Sequence, residues 1–491
     1  MSREYAKYRE KILKGSILSA LLWLGLPPLV NQLVQVSYNV IDSIWLSQLQ
    51  DIALAVPRQI WPLLFLTFMM GMGISIANIS LISQYVGAKK YDEADRVASN
   101  LYFFLIFLGI IIGLIFFSLK EYILLYIMHV PPEIYEWSVE YAAIISIGVP
   151  FGMMSYAFTT ILQAVGDTRT PTILQSVSAL MNIFLDPLLI FGFKIEFAGI
   201  VFRVDPMGVA GAALATVISR MITTSIGMYL LFKGYRGVRI VFTGFKFDKQ
   251  WLLASLRIGG PVMVLRAANV ASFTILQIIV NGFGVEAAAA FAIGLIVINL
   301  SDAILWGFSR AVAIMVGQSL GAGYYERARK AVYKALMIVL VSTIIGVFIV
   351  ISFREPLVSL FTNDPSISSM ASKLIEIFAL SIPFFGAFFI SMSVGNGSGH
   401  TLPPSLIGLI RLWGIRIGIG YYLSVVIGLG IEWLWIAMGL SNVFAGLAGI
   451  TWIIFGNWTV PVINSIGGSA IGGKGVGKLG ENLPNRVRRE D

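Results

Sequence analysis

Two carboxylates sit in stretches of the chain where water should be scarce: Asp42 in the first long apolar run and Asp186 in the fifth. Each closes a polar stripe, Asn31, Gln35, Tyr38 and Asp42 in one case and Gln175, Ser178, Asn182 and Asp186 in the other. At about 100° per residue, the members of each stripe share one narrow helix face. A charged side chain at bilayer depth costs roughly 2.5–3.5 kcal/mol or more, so such residues usually face a cavity and handle an ion, a proton or a substrate. A carboxyl withdrawn from water can exchange a proton at working pH. Carboxylate and amide oxygens are equally suited to a hard cation such as Na⁺. The residue types leave both ions open. Packing is the alternative for Asp42, and an end-of-helix position near the outer surface is the alternative for Asp186, which precedes Pro187.

The elements that must position these groups are membrane helices. Of 491 residues, 57% are hydrophobic and only 12% charged, the composition of a polytopic membrane protein. The apolar runs reach the ~20 residues that cross hydrocarbon as a helix. They show no strand-like alternation, which excludes a β-barrel. Twelve spans are predicted, near 16–47, 57–86, 97–118, 137–165, 171–192, 207–232, 251–281, 286–319, 331–353, 369–398, 403–427 and 432–457. Lys and Arg collect on alternate connections, as in Lys89, Lys90 and Arg96 or Arg327, Arg329, Lys330 and Lys334. That asymmetry places both termini in the cytoplasm and accounts for the net charge of +9 without nucleic acid. The chain has no cysteine and only two histidines, His129 and His400, so disulfides and thiolate or histidine metal sites are not expected. The polar start runs into a segment too long for a signal-peptide core, so no cleavage is expected and a prokaryotic inner membrane is the natural address.

The chain also repeats itself at an offset of about 234 residues. Gln84-Tyr-Val-Gly87-Ala88 recurs as Gln318-Ser-Leu-Gly321-Ala322, Gly25 and Pro27 as Gly259 and Pro261, and Pro150-Phe151 as Pro383-Phe384. Two six-helix halves of parallel topology follow, related by an axis along the membrane normal. The expected organisation is a cytoplasmic segment 1–15, an N-lobe 16–232, a linker 233–250, a C-lobe 251–457 and a flexible polar tail 458–491. Asp42 corresponds to Leu276 and Asp186 to about Ile419. The carboxylates therefore belong to one half only, which favours a chemical role over an architectural one.

These pieces together resemble the multidrug and toxic compound extrusion (MATE) family. The resemblance rests on Pro27 with Tyr38 and Asp42, the Gln84 loop and its copy at Gln318, Gln163-Ala-Val-Gly-Asp-Thr-Arg-Thr-Pro171, Asn182-x-x-x-Asp186-Pro187, and Gly208-Val-Ala-Gly-Ala-Ala-Leu-Ala-Thr216. The N-lobe carboxylate pair resembles the archaeal and DinF-like branch. Span 7 carries Arg266 and none of the acidic residues of the NorM-like branch. The resemblance implies an all-α fold of twelve transmembrane helices in two six-helix lobes. It implies a secondary antiporter that expels organic cations or amphipathic drugs against H⁺ or Na⁺, with no other cofactor. The implied coupling network is Tyr38, Asp42, Tyr141, Asn182, Asp186 and Thr216, with Na⁺ as a candidate at Asp42, Asn182, Asp186 and Thr216.

Around that network, Asn31, Gln35, Gln163, Ser178 and Met69 are candidates for the substrate cavity. The Met69, Met70 and Met72 cluster suits either packing or promiscuous binding. Pro27 is either a fixed kink or a hinge that bends span 1 when Asp42 is neutralised. Arg220, Arg266, Asp302, Arg310, Arg411 and Arg416 also fall within spans, where Asp302 with Arg266 or Arg310 would form a C-lobe ion pair. A lipid or lipid-linked sugar flippase of the same wider superfamily is the second reading, supported by Arg266, Arg310, Arg411 and Arg416. An enzyme is not expected: there is no phosphate loop, no His-Glu-x-x-His and no G-x-S-x-G elbow. Lipids and small amphipathic substrates are the expected partners, and two lobes in one chain make a monomer sufficient.

Overall fold

The computed structural model describes residues 2–197, 200–241 and 246–464. A short helix α1 (Ser2–Lys14) precedes the N-lobe helices α2 (Ile17–Ser47), α3 (Ala55–Gly87), α4 (Tyr91–Tyr122), α5 (Pro132–Val165), α6 (Arg169–Ile190) and α7 (Gly208–Phe232). The C-lobe follows as α8 (Lys249–Asn281), α9 (Val285–Gly321), α10 (Tyr325–Ser352), the short α11 (Arg354–Ser359), α12 (Pro365–Ser398), α13 (Leu402–Leu409) with its π-helical continuation Ile410–Ile419, and α14 (Ile431–Phe455). Eleven helices among the described residues are long and apolar enough to span a membrane. The 37-residue α9 completes the set of twelve. Their outer faces carry large exposed apolar side chains such as Phe107, Phe184, Phe348 and Phe455, as helices facing lipid rather than water require.

Two features depart from the all-helical expectation. A hairpin of β1 (Phe193–Phe197) and β2 (Ile200–Val204) joins α6 to α7, with Phe193 opposite Val204 and Lys194 opposite Arg203. It lies in a connection, where water can satisfy its edges, so it does not disturb the bundle. The eleventh span is π-helical over Ile410–Ile419 and again over Tyr422–Val426. Its i→i+5 bonding cannot be read from hydrophobic periodicity.

The lobes meet along a seam written twice in the sequence. Gly25 of α2 packs on Gly307 of α9, and Gly73 of α3 packs on Gly259 of α8. Gly87 lies against the backbone of Gln318, and Gly321 against that of Gln84. A Cβ at Gly73, Gly87, Gly259 or Gly321 would collide with the opposing lobe, so these positions set how closely the lobes approach. Two helix ends then receive side chains from across the seam. α5 and α12 both terminate in left-handed glycines, Gly166 (φ 110°) and Gly399 (φ 84°), which leave final carbonyls in need of donors. Gln318 Nε2 donates to Ala164 O and Val165 O, each at 3.0 Å. Gln84 Nε2 donates to Gly397 O at 3.2 Å and Ser398 O at 3.0 Å.

The termini add to the same end of the molecule. The segment expected to be a polar lead is helical, because Tyr5, Ile12 and Leu13 form a buried face. Tyr5 Oη donates to Asp95 Oδ1 (2.6 Å) and Arg9 Nε to Gly87 O (2.9 Å) in the N-lobe. Arg327 of α10 donates to Ile12 O and Gly15 O. The start of the tail is also packed: Trp458 and Ile463 are buried, and Ile463 N donates to Gln84 Oε1 at 3.4 Å. From residue 465 the expected flexible tail lies outside the described residues.

Candidate functional site

The two polar stripes face each other. α2 and α6 are both odd-numbered spans and run in the same direction. Asn31 Nδ2 donates to Gln175 Oε1 at 2.6 Å, and the carboxyls of Asp42 and Asp186 interact at the other end. Between them Gln35 lies with Ser178, and Tyr38 with Asn182, around a small pocket shared with Thr216, Ser219 and Arg220. Each pairing keeps an offset of 143 or 144 residues, which is what parallel helices of equal rise produce.

The network is closed by the third helix, α7. Asn182 Nδ2 donates to Asp186 Oδ1 (3.1 Å) and Thr216 Oγ1 (3.3 Å), and Thr216 Oγ1 lies 3.4 Å from Tyr38 Oη. Asp186, Asn182 and Thr216 are 0%, 2% and 9% exposed. Tyr141 of α5 makes no hydrogen bond to the group but stands within electrostatic range of Tyr38, Asp42 and Asp186. Counting 1.5 Å per residue, these groups lie roughly 6–14 Å inside the helix ends. Asn182 Oδ1 and Asp186 Oδ2 are buried acceptors without hydrogen-bond partners. Two carboxyls this close repel when both are charged. A proton or a small hard cation would relieve that repulsion and satisfy the orphan oxygens. Among the described residues no three His, Asp or Glu side chains cluster.

Toward the seam the stripes open into a cavity of about 480 Å³. Asn31, Gln35, Gln163 and Ser178 line it. Met69 does not: the α3 face toward the cavity carries Trp61, Phe68 and Met72, at spacings of seven and four, and Met69 is rotated about 100° from Phe68. Sequence reasoning passed over Tyr156, Thr159 and Thr223, which also line it, and treated Arg220 only as one of several intramembrane arginines. Thr159 accepts from Gln175 Nε2 at 2.9 Å, continuing the polar chain from Asn31. Pro27 lies within α2, which continues through it without interruption, and the neighbouring Pro28 borders the cavity.

Of the residues expected to form a C-lobe ion pair, the two arginines lie apart. Arg310 of α9 points into the N-lobe cavity, whereas Arg266 lines a second pocket of about 100 Å³ in the C-lobe with Arg411 and Arg416. The side chain of Asp302 lies outside the described residues. Arg310 forms no ion pair among the described residues, and it lines the cavity. Arg411 Nη1 and Arg416 Nη2 both donate to Asn442 Oδ1, at 2.9 and 3.1 Å, and Arg411 lies over Phe385 at 4.9 Å. In an α-helix these two arginines, five apart, would diverge. The π-helical turn closes after about five residues and brings them to one side.

Asp167 of the Gly166-Asp167-Thr168-Arg169-Thr170-Pro171 stretch has an architectural task. It is 1% exposed, accepts from Arg169 N, Thr170 N and Thr170 Oγ1, and pairs with Arg236 Nε at 2.8 Å. It thereby caps α6 and ties it to the segment after α7.

Comparison with known proteins agrees with this architecture. The MatE family profile matches residues 27–188 and 261–422, one stretch in each lobe. The chain is 28% identical over 466 residues to the protein named "Probable multidrug resistance protein NorM" of Thermotoga maritima, covering 92% of this chain and 96% of that one. It is 24% identical to a FAD transporter of Shewanella oneidensis, over 90% of this chain and 95% of the relative. A MOP superfamily transporter from Pyrococcus furiosus superposes with a TM-score of 0.81 at 22% identity, covering 93% of this chain and 98% of the other.

Proposed function

The chain belongs to the MatE family, and from that membership we propose that it is an ion-coupled exporter of amphipathic small molecules, with coupling at the Asp42–Asp186 network. The observation that carries this reading is the convergence of two carboxyls, Asp186 buried and Asp42 half-buried, with one amide and two hydroxyls from α2, α6 and α7 beside a drug-sized cavity. Export is the activity in the name of the Thermotoga relative, a multidrug resistance protein. The protein is not an enzyme.

In this mechanism H⁺ or Na⁺ neutralises the carboxyl pair and draws Asp42 of α2 toward Asp186 of α6. The α2 stripe then closes on the α6 stripe, and the cavity between them loses volume. Pro27 and Pro28 interrupt backbone hydrogen bonding in α2 on the seam side of the stripe, so bending concentrates there. The basic end of the bundle, sealed by Gln84 and Gln318, faces the cytoplasm by the distribution of Lys and Arg. The cavity therefore discharges outward, and one monomer with two lobes suffices for alternating access.

The test is efflux from proteoliposomes of two fluorescent amphipaths of opposite charge, ethidium and flavin mononucleotide, under separate H⁺ and Na⁺ gradients. Movement driven by one gradient, and abolished in Asp42→Asn and Asp186→Asn with the fold intact, is the expected result and names the ion. Gradient-driven movement that survives both substitutions refutes coupling at this pair.

A further inference from the structure

The cavity has the wrong charge for an organic cation. Its walls include two guanidiniums, Arg220 from α7 and Arg310 from α9, and no carboxylate among the lining residues. Asp42 and Asp186 stand outside it, behind the small pocket that Arg220 also borders. Neither Arg220 nor Arg310 donates a side-chain hydrogen bond or forms an ion pair among the described residues. Both line the same cavity as Tyr156, Arg220 from the N-lobe and Arg310 from the C-lobe. Arginine at bilayer depth normally has a counter-charge, because an isolated one is costly. Here the space in front of both is a cavity.

We propose that the transported substrate is an amphipathic organic anion, its phosphate or carboxylate held between Arg220 and Arg310 and its apolar or aromatic body against Trp61, Phe68 and Met72. The guanidinium fork matches either anion bidentately, and a volume of about 480 Å³ falls within the roughly 300–1,000 Å³ of small-molecule sites. The two arginines belong to different lobes, so a bound anion bridges them, and rocking of the lobes alters its grip. Arg220 also lies one helical turn from Thr216 of the coupling network. Ion binding at the carboxyl pair and anion binding in the cavity thus act on the two sides of one guanidinium. This substrate assignment rests on the export reading for its physiological direction, whereas the binding site itself does not.

The test is binding without any gradient, which separates it from the export reading. Flavin mononucleotide anisotropy is measured against the purified protein in phosphatidylcholine nanodiscs, for the native chain, Arg220→Gln, Arg310→Gln and Arg310→Lys. Binding weakened about tenfold or more by each glutamine, weakened less by lysine, and not competed by ethidium supports the site. Ethidium binding in place of the flavin, or flavin binding indifferent to both glutamines, overturns it. The same anionic group can come from a lipid headgroup, so the series is repeated in phosphatidylglycerol nanodiscs with a labelled phosphatidylglycerol translocation assay. Displacement of the flavin, with translocation lost in Arg310→Gln, keeps the anion site and assigns its source to lipid. Binding of neither anion overturns the proposal.

Discussion

Removing the donors of Gln84 or Gln318 should open the basic end of the molecule without unfolding it. Each glutamine is fully buried and gives two hydrogen bonds to carbonyls of the other lobe. At about 0.5–1.5 kcal/mol per bond, each side chain contributes roughly 1–3 kcal/mol. Those bonds exist only while the lobes touch at this end, so their loss weighs on the closed state rather than on either lobe. The ratio of closed to open populations should fall about 5- to 150-fold in Gln318→Leu and again in the double variant. The chain has no cysteine, so spin labels at Lys90→Cys and Tyr324→Cys report the inter-lobe distance directly. Both positions are exposed, and they flank the two copies of the seam. Double electron–electron resonance should show a longer-distance population that grows with each substitution. An unchanged distance distribution with a lowered melting temperature would refute the reasoning, because the bonds would then hold the fold rather than the gate.

Further predictions follow from other contacts. Asp167→Ala strands Arg236 and uncaps α6, and should lower stability by about 3–5 kcal/mol in thermal unfolding, whereas Thr170→Val should cost far less. Gly73→Val places a branched side chain against the Gly259 backbone and Met263; at about 1–3 kcal/mol of overpacking it should favour the open basic end in the same distance measurement. His400, in the turn between α12 and α13, is held below the ordinary imidazole range by burial. Its folded form therefore binds fewer protons than the unfolded chain, and stability falls as the pH drops through about 6.5. The loss of melting temperature between pH 7.5 and 5.5 should be smaller in His400→Gln; an equal loss would remove His400 as a cause.

Much of this protein is written locally. Uniformly apolar runs of sufficient length can only be membrane helices, because no other element satisfies its own backbone in lipid. The repeat at 234 residues marked Gly25, Gln84, Gly87 and their copies, and the structure puts them all on the seam. The polar stripes were visible because a helix has a fixed period. Met69 was misplaced because a cavity face on a helix that is apolar all round has no periodic signal to select it. α1 was underestimated because three apolar positions in a polar segment are a weak pattern until a groove exists to receive them.

The sequence by itself determined the span count, the twofold repeat and the two faces that carry Asp42 and Asp186, since each depends on local period, length or self-similarity. Which faces meet was decided by tertiary structure alone. Only packing sets Asn31 against Gln175, hands the capping of α5 and α12 to glutamines of the opposite lobe, and turns Arg310 into the N-lobe cavity. Only the π-helical turn brings Arg411 and Arg416 together on Asn442. A charge in a span reads as costly from sequence; whether a partner or a cavity faces it depends on residues far away in the chain.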